Sequence, residues 1–178
     1  MDEFRDAIAA FNGAVRRVLA TCHSLTPEVW NAHLRAGFSI GEILEHMALS
    51  NGLFERRLAS IIRKPAGDSV YACLEDEEIP HLFERAIEPP GIAEPTGEWR
   101  DSKEALARFS ASARPISALA TEDPGDLRRK GAPHPVFGPL DGVQWVLFTT
   151  AHNERHRSEI IGLAALAQSA YGTERPPK

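Results

Sequence analysis

The sequence predicts an all-α protein, a four-helix bundle with a long crossover between its second and third helices. Apolar residues recur in steps of three and four within four segments, three of these segments begin with helix-capping signals, and no segment shows the alternation typical of a strand. A length of 178 residues and a hydrophobic content of 43% fit a single domain spanning 1–178 with its own core.

The first helix is expected over about 2–23 and the second over about 39–62. Pro27 bounds the first helix, because proline lacks the N–H group that a continuing helix needs. Both segments carry an apolar stripe at helical spacing. The stripe of the second consists of Ile43, Leu44, Met47, Leu53, Phe54, Leu58 and Ile61.

The third helix is expected over about 101–120 and the fourth, the longest, over about 141–171. Pro115 lies inside the third segment, so a kink or a break is expected there. Three helix starts show the capping-box spacing, in which a short polar residue precedes a Glu or Gln by three positions. The pairs are Ser39 with Glu42, Asp101 with Glu104, and Asp141 with Gln144.

The segment between the second and third helices is rich in proline and glycine. Residues 63–100 are therefore predicted to form a long crossover with at most a short helix around His81 to Ile87. A crossover of this length can pass over one end of a bundle and roof a cavity. Together with the loop 131–140, it is the segment best placed to build a substrate pocket.

Charge and composition exclude several function classes. A formal net charge of -5 argues against binding to nucleic acid, and the basic run from Arg128 to Lys130 is interpreted as a solvated turn. Two cysteines cannot make a disulfide framework, and Cys22 falls on the apolar stripe of the first helix, where it is expected to be a core residue. The start at Met1 lacks the features of a signal peptide, and no apolar run approaches the roughly 18 residues of a membrane span, so a cytoplasmic protein without membrane contact is expected.

Three histidines are expected to lie on or beside buried helix faces. His152 and His156 are four residues apart on the fourth helix, so their side chains lie on one face, about 5 to 6 Å apart at Cβ. His46 borders the apolar face of the second helix. Buried imidazoles need a hydrogen-bonding or metal partner, so the three together point to a divalent metal site.

A structural role for these histidines stays open at this point. In a chain with seven histidines, a His-x-x-x-His pair also arises by chance, and a single histidine in a core is more often a hydrogen-bonded structural residue. Two histidines near the first helix and two in loops are expected to be solvated or capping residues: His23, His33, His81 and His134. Surface or partner contacts are expected of Arg155 and Arg157, and packing roles of Trp30, Trp99 and Trp145.

Two stretches resemble a known family. The stretch from Gly37 to Ala48, GFSIGEILEHMA, resembles the opening of the second helix in the DinB-like superfamily, which includes the YfiT-type metal-dependent hydrolases. The stretch PHPVFGPL from Pro133, followed by Trp145 and by His152-Asn-Glu-Arg-His156, resembles that family's fourth-helix segment. These segments cover about a quarter of the chain, and the order and spacing of the four helices fit nearly all of it.

The resemblance implies a four-helix bundle that binds a divalent metal, often nickel or zinc, through three histidines. Carried over to this chain, those ligands are His46, His152 and His156. It also implies an enzyme whose relatives transfer low-molecular-weight thiols such as mycothiol or bacillithiol, with hydrolysis of a small substrate as the other route. Many members have Gln where this chain has Glu159, which is therefore a candidate catalytic residue, as a general base, a fourth ligand or a group that orients an imidazole.

Two classes of function follow from these observations. One is a metal-dependent thiol transferase or hydrolase that acts on a small molecule, because three histidine ligands leave at least one coordination position open. The other is a non-enzymatic metal-binding or structural helical bundle. A symmetric homodimer is expected only because it is the commonest oligomer, and metal identity stays open because histidine sites accept several divalent ions.

Overall fold

The computed structural model describes residues 3–33, 37–72, 74–84 and 93–171, and within these ranges the chain is mainly helical. The four long helices are α1 (Glu3–Cys22), α3 (Ile40–Ile62), α4 (Ser102–Ala118) and α5 (Gly142–Tyr171), and the one-turn helix α2 (Pro27–Trp30) lies between the first two. The predicted helical class is confirmed. Helix α2 was not predicted; Thr26 caps it and proline occupies its first turn, where a missing N–H costs nothing.

Each long helix packs against two others. Helix α1 contacts α4 and α5, and helix α3 contacts the same two from the other side. This is the pairing that a bundle of four helices requires. The apolar stripes predicted for α1 and α3 meet in one core, whose fully buried side chains include Ile8, Phe11, Ile43, Leu44, Leu58, Phe109 and Ile116.

Local capping sets where the helices begin. The hydroxyl of Ser39 accepts a hydrogen bond from the backbone N–H of Glu42, and the Glu42 carboxylate accepts one from the N–H of Ser39, so the predicted capping box is complete. Asp101 caps α4 through the N–H of Glu104 at 2.7 Å. Asp141 caps α5 in the same way, through the N–H of Gln144 at 2.8 Å.

Helix α3 approaches the end of the crossover closely at Gly41. The indole N–H of Trp30 donates to the carbonyl oxygen of Trp99 at 3.0 Å, directly over this glycine. A Cβ atom at position 41 would lie 2.3 Å from that oxygen, so only glycine fits without moving the backbone. The contact joins α2, α3 and the segment that leads into α4.

The segment before α5 differs from the predicted loop. Residues predicted as a loop form an antiparallel hairpin of strands β1 (Gly131–His134) and β2 (Gly138–Asp141). Gly138 has a φ of 77°, a left-handed conformation that glycine adopts without strain. The indole of Trp145 donates to the carbonyl of Ala132 at 3.0 Å and ties the hairpin to α5.

Two further details differ from the expectations. The crossover contains a 3₁₀ helix over Asp76–Glu84, which begins five residues before the predicted start at His81. The rest of that predicted helix, 85–87, and Cys73 lie outside the described residues. Helix α4 runs without a break through Pro115, whose ring lies on the exposed face of the helix.

The basic run is not a solvated turn. The guanidinium of Arg128 donates to the carboxylates of Glu3, Asp76 and Asp141, which belong to three distant parts of the chain. Lys130 donates to the carbonyls of Ile62 and Pro124. We call Arg128 and its three carboxylate partners the Arg128 cluster. It joins the start of α1, the crossover and the start of α5.

Candidate metal centre

His46 lies on the face of α3 that turns inward, between Ile43 and Met47. Its side chain is almost wholly buried, with 5% of the residue exposed. The Nδ1 atom lies 2.8 Å from the carbonyl oxygen of Ala93 at the end of the crossover. Because a carbonyl can only accept, Nδ1 carries the hydrogen, and the neutral ring leaves a lone pair on Nε2.

His152 and His156 are on the face of α5 that turns toward α3. Their ring centroids are 4.6 Å apart, as expected for residues separated by one helical turn. Both are buried, with 7% and 8% of the residues exposed. Helix α5 therefore presents two imidazoles side by side to the same region.

The three histidines meet, as the sequence predicted. The ring of His46 lies 5.3 Å from that of His152 and 4.9 Å from that of His156, measured between centroids. One ring nitrogen from each residue lies within 4.8 Å of the other two. We call this group the histidine triad, and it could hold a metal ion.

The spacing of two of the nitrogens fits a shared ion. The Nε2 atoms of His46 and His152 are 3.3 Å apart. Two imidazole nitrogens that each lie about 2.0 to 2.1 Å from a tetrahedral zinc ion are about 3.3 Å from each other. The donor set, three imidazoles without a carboxylate among them, suits zinc, nickel or copper better than magnesium or calcium.

Glu159 lies one turn beyond His156 on α5. Its Oε2 atom accepts a hydrogen bond from Nδ1 of His156 at 2.9 Å. The hydrogen of this ring is therefore on Nδ1, and the lone pair on Nε2 is directed away from Glu159. The bond lowers the pKa of Glu159, so the carboxylate is ionised at neutral pH.

Two buried nitrogens of the triad have no hydrogen-bond partner among the described residues. They are Nδ1 of His152 and Nε2 of His156. Buried polar atoms without a partner are rare in folded proteins because their desolvation is not compensated. The unpartnered Nε2 of His156 lies in the group that could hold an ion, so the residues present fit a bound cation.

Burial favours the neutral form of His46 and of His152. It lowers the pKa of His46, and it lowers that of His152 further, where the neighbouring His156 and His46 act in the same direction. Neutral imidazole is the form that binds metals. These two rings can therefore coordinate a metal without losing a proton first.

The triad opens into a cavity of about 650 Å³ between α3 and α5. Five Phe and Trp side chains line it, and both the crossover and the hairpin contribute residues to its wall, Phe83 from the first and His134 from the second. A volume of this size is typical of sites for small molecules. The aromatic lining residues are Phe38, Phe54, Phe83, Trp145 and Phe148.

Two lining residues were assigned other roles from the sequence. Arg155 was expected at the surface, but it lines the cavity, with its guanidinium 6.0 Å from the ring centroid of Phe83. His134 was placed in a loop but lies on β1 and lines the cavity, although its Nδ1 does cap the hairpin turn by accepting from the N–H of Val136 at 3.2 Å. The signal that could have found Arg155 was its position three residues after His152.

Several expectations for single residues are confirmed. Trp30 and Trp145 are packed in the core. Cys22 is 1% exposed, and burial raises the pKa of its thiol to about 12, so it is inert. His23 and His81 are exposed, and Arg157 pairs with Glu154 at 2.7 Å.

Comparison with known families agrees with this geometry. The model of the DinB superfamily matches residues 10–160, a range that contains all three histidines of the triad. The chain belongs to the DinB superfamily. Searches of curated proteins and of solved structures returned no match. Within the described residues of this DinB protein, no helix is long and apolar enough to cross a membrane.

Proposed function

We propose that this DinB protein is a divalent-metal-dependent enzyme whose metal is bound by His46, His152 and His156. One observation carries the proposal: three imidazoles from two helices converge in the wall of a cavity that aromatic side chains also line. A structural site would be closed by a fourth protein ligand, whereas three histidines leave a position for a water or substrate atom. Nickel and zinc are the ions we propose.

The surrounding residues would orient the ligands. Ala93 holds the ring of His46 through its carbonyl, and Glu159 holds the ring of His156 through its carboxylate. Each contact fixes which nitrogen carries the hydrogen and leaves Nε2 free to coordinate. A divalent ion bound there supplies Lewis acidity, which lowers the pKa of a water or a thiol beside it.

Glu159 is proposed as a positioning residue. Its bond to His156 favours the orienting role over the two other roles that the sequence left open, fourth ligand and general base. A carboxylate that accepts from a ligand imidazole makes the ring a stronger donor to a metal. The same residue lines the cavity in which a substrate would bind.

The reaction we propose is transfer of a low-molecular-weight thiol to a small electrophile, with hydrolysis of a small substrate as the second candidate. Resemblance to the thiol-transferring relatives supports the first. The cavity supports both, since aromatic walls exclude water from bound reactants and leave room for a small molecule beside the triad. A non-enzymatic metal-binding role is the alternative that the experiments below exclude or establish.

Metal analysis tests the site directly. Protein purified without an affinity tag should contain about one divalent ion per chain, and His152→Ala should contain almost none, because two ligands cannot hold the ion against competition. His23→Ala is the matched control, since His23 is exposed and distant from the triad. Wild-type protein that folds fully and binds no added nickel or zinc would contradict the proposal.

Activity is tested with a panel of small thiols and an electrophilic acceptor. Turnover should require both the ion and the triad, and it should be lost after chelation and restored when the metal is returned. Metal binding without any turnover across thiol and ester substrates would favour the non-enzymatic role. Turnover that survives chelation would exclude the proposed mechanism.

A further inference from the structure

The cavity continues away from the triad along α3. His46 and Arg57 are eleven positions apart, which corresponds to about 16 Å along the helix axis. Between them, Phe54 packs against Trp145, Phe148 and His152 of α5. The cavity therefore has two ends, the triad at one and Arg57 with Trp145 at the other.

Positive charge without a partner marks the Arg57 end. Arg56 and Arg57 line the cavity, and neither forms an ion pair with a carboxylate of the described residues. Elsewhere, Arg17 pairs with Glu154, Arg108 with Glu104, and Arg128 with its cluster. An arginine that lines a cavity and lacks a carboxylate is available for an anionic ligand.

The two ends differ in their net charge. Arg155 is on α5 beside the triad, and its charge is balanced by Glu159, whose pKa it helps to lower. Glu159 is the acidic residue of the cavity wall, so no described lining carboxylate lies at the Arg57 end. The guanidinium of Arg57 stacks over the ring of Trp145 at 5.7 Å, which holds it beside the cavity.

His134 adds a hydrogen-bond donor at the same end. Burial and the nearby charge of Arg57 lower the pKa of His134 to about 4, so its ring is neutral. Its Nδ1 accepts from the backbone N–H groups of Val136 and Phe137, and the hydrogen is therefore on Nε2. A neutral N–H donor and a guanidinium suit an oxyanion and offer nothing to a cation.

We propose that the Arg57 end of the cavity is an anion-binding subsite, and that the substrate is an amphipathic acid with an aromatic or apolar body. The body packs between Phe54, Phe83 and Phe148, and the oxyanion, a carboxylate or a phosphate, is bound by Arg57 and His134. This subsite depends on the proposed function in one respect only, namely that the reaction takes place at the triad, at the other end of the cavity.

Three naphthalene probes test the subsite by isothermal titration calorimetry. The wild-type protein should bind 2-naphthoate and 2-naphthyl phosphate more tightly than the neutral 2-naphthamide, and the tighter of the two anions identifies the acid group. Arg57→Gln should weaken binding of the anions by roughly five- to tenfold and leave 2-naphthamide unchanged, because Arg57 is partly solvated. Arg63→Gln, at the exposed end of the same helix, is the matched control and should bind all three like wild type.

Two further variants locate the anion. In His152→Ala the preference for anions should persist, because the subsite is distant from the triad and needs no metal; loss of metal in this variant reports on the proposed function alone. Arg155→Gln should have a smaller effect than Arg57→Gln. The proposal would be overturned if the wild-type protein bound the charged and neutral probes equally, or bound none of them. It would also be overturned if the preference for anions disappeared in His152→Ala or in Arg155→Gln but not in Arg57→Gln.

Discussion

The histidine triad and the Arg128 cluster both bring polar side chains together from distant parts of the chain, yet they differ in whether the buried polar atoms have hydrogen-bond partners. In the Arg128 cluster, one guanidinium donates to three carboxylates, and even the fully buried Asp141 has a partner. In the triad, buried nitrogens of His152 and His156 face no partner among the described residues. The polar groups of the cluster find their partners within the protein, whereas two nitrogens of the triad do not.

This is the difference expected between a polar cluster that serves the fold and a site that binds a ligand. Desolvated polar atoms cost free energy unless they form hydrogen bonds, so a cluster that serves only the fold satisfies all of its atoms. A site for a ligand has to keep donors or acceptors open and is stabilised only when the ligand binds. Burial alone does not distinguish the two regions, whereas the presence or absence of partners does.

The largest expected effect is on the Arg128 cluster. Arg128→Ala leaves the buried carboxylate of Asp141 without a counter-charge, and we expect the free energy of unfolding to fall by about 3 kcal/mol. Urea denaturation followed by circular dichroism measures the change. Arg63→Ala is the control, and metal content should be the same in both variants. A destabilisation below about 0.5 kcal/mol would show that the cluster is not structural.

Removing the support of the triad should have the next largest effect. Glu159→Ala frees the ring of His156, and we expect metal affinity to fall by about 10- to 100-fold with little change in stability. Glu159→Gln retains a side-chain oxygen that can accept from Nδ1 and should recover most of the affinity. Competition with a fluorescent chelator measures both. If the two variants bind equally weakly, the negative charge matters and the orientation does not.

In the absence of metal, a substitution in the triad should raise the free energy of unfolding, whereas Arg128→Ala lowers it. His152→Leu removes a buried nitrogen that has no partner, together with the 3.3 Å contact between its Nε2 and Nε2 of His46. Because an apolar side chain replaces a desolvated imidazole, we expect the free energy of unfolding, measured with a chelator present, to rise by about 1 kcal/mol. The same variant should lose metal binding. A clear loss of stability would mean that His152 has a structural role in the absence of metal.

The smallest expected effect is the pH dependence of the Arg128 cluster. The hydrogen bonds from Arg128 lower the pKa of Asp76, so this residue stabilises the fold above its unfolded pKa of about 3.9, and the contribution is lost as the pH falls through the folded value. Asp76→Asn should therefore be less stable than wild type by about 1 kcal/mol at pH 7, and the gap should close toward about pH 2.

Urea denaturation of both proteins at a series of pH values measures this gap. Burial raises the pKa of Asp141, which acts in the opposite direction, but Asp141 is present in both proteins and largely cancels in the comparison. A gap of constant size down to acidic pH would show that the hydrogen bonds of Asp76, and not its charge, stabilise the cluster.

The sequence predicted the features that depend on near neighbours. The Ser39 capping box forms because Glu42 is three residues away, and the pair His152 and His156 shares a face because they are four residues apart. Even the meeting of this pair with His46 was foreseen, since all three border apolar faces that have to be buried. The three histidines already pointed to a divalent metal, the family resemblance supported this expectation, and the geometry is compatible with it.

The errors concern residues whose surroundings come from distant segments. The sequence around Arg128 predicts a solvated basic run, but the fold places Glu3, Asp76 and Asp141 around its guanidinium. The sequence predicts a surface role for Arg155, but the fold places Phe83 of the crossover beside it. The hairpin of four-residue strands has too few residues to show alternation, and prolines occupy both strands.

By itself, the sequence determined the helical class, the helix starts and the three residues of the triad, because each depends on periodicity or on a partner within one turn. Only the tertiary structure decided which nitrogens of the triad are open, which arginines line the cavity and which are neutralised by carboxylates. Hydrogen bonds and ion pairs depend on atoms within a few ångströms of each other in space, and here such atoms belong to residues dozens of positions apart in the sequence.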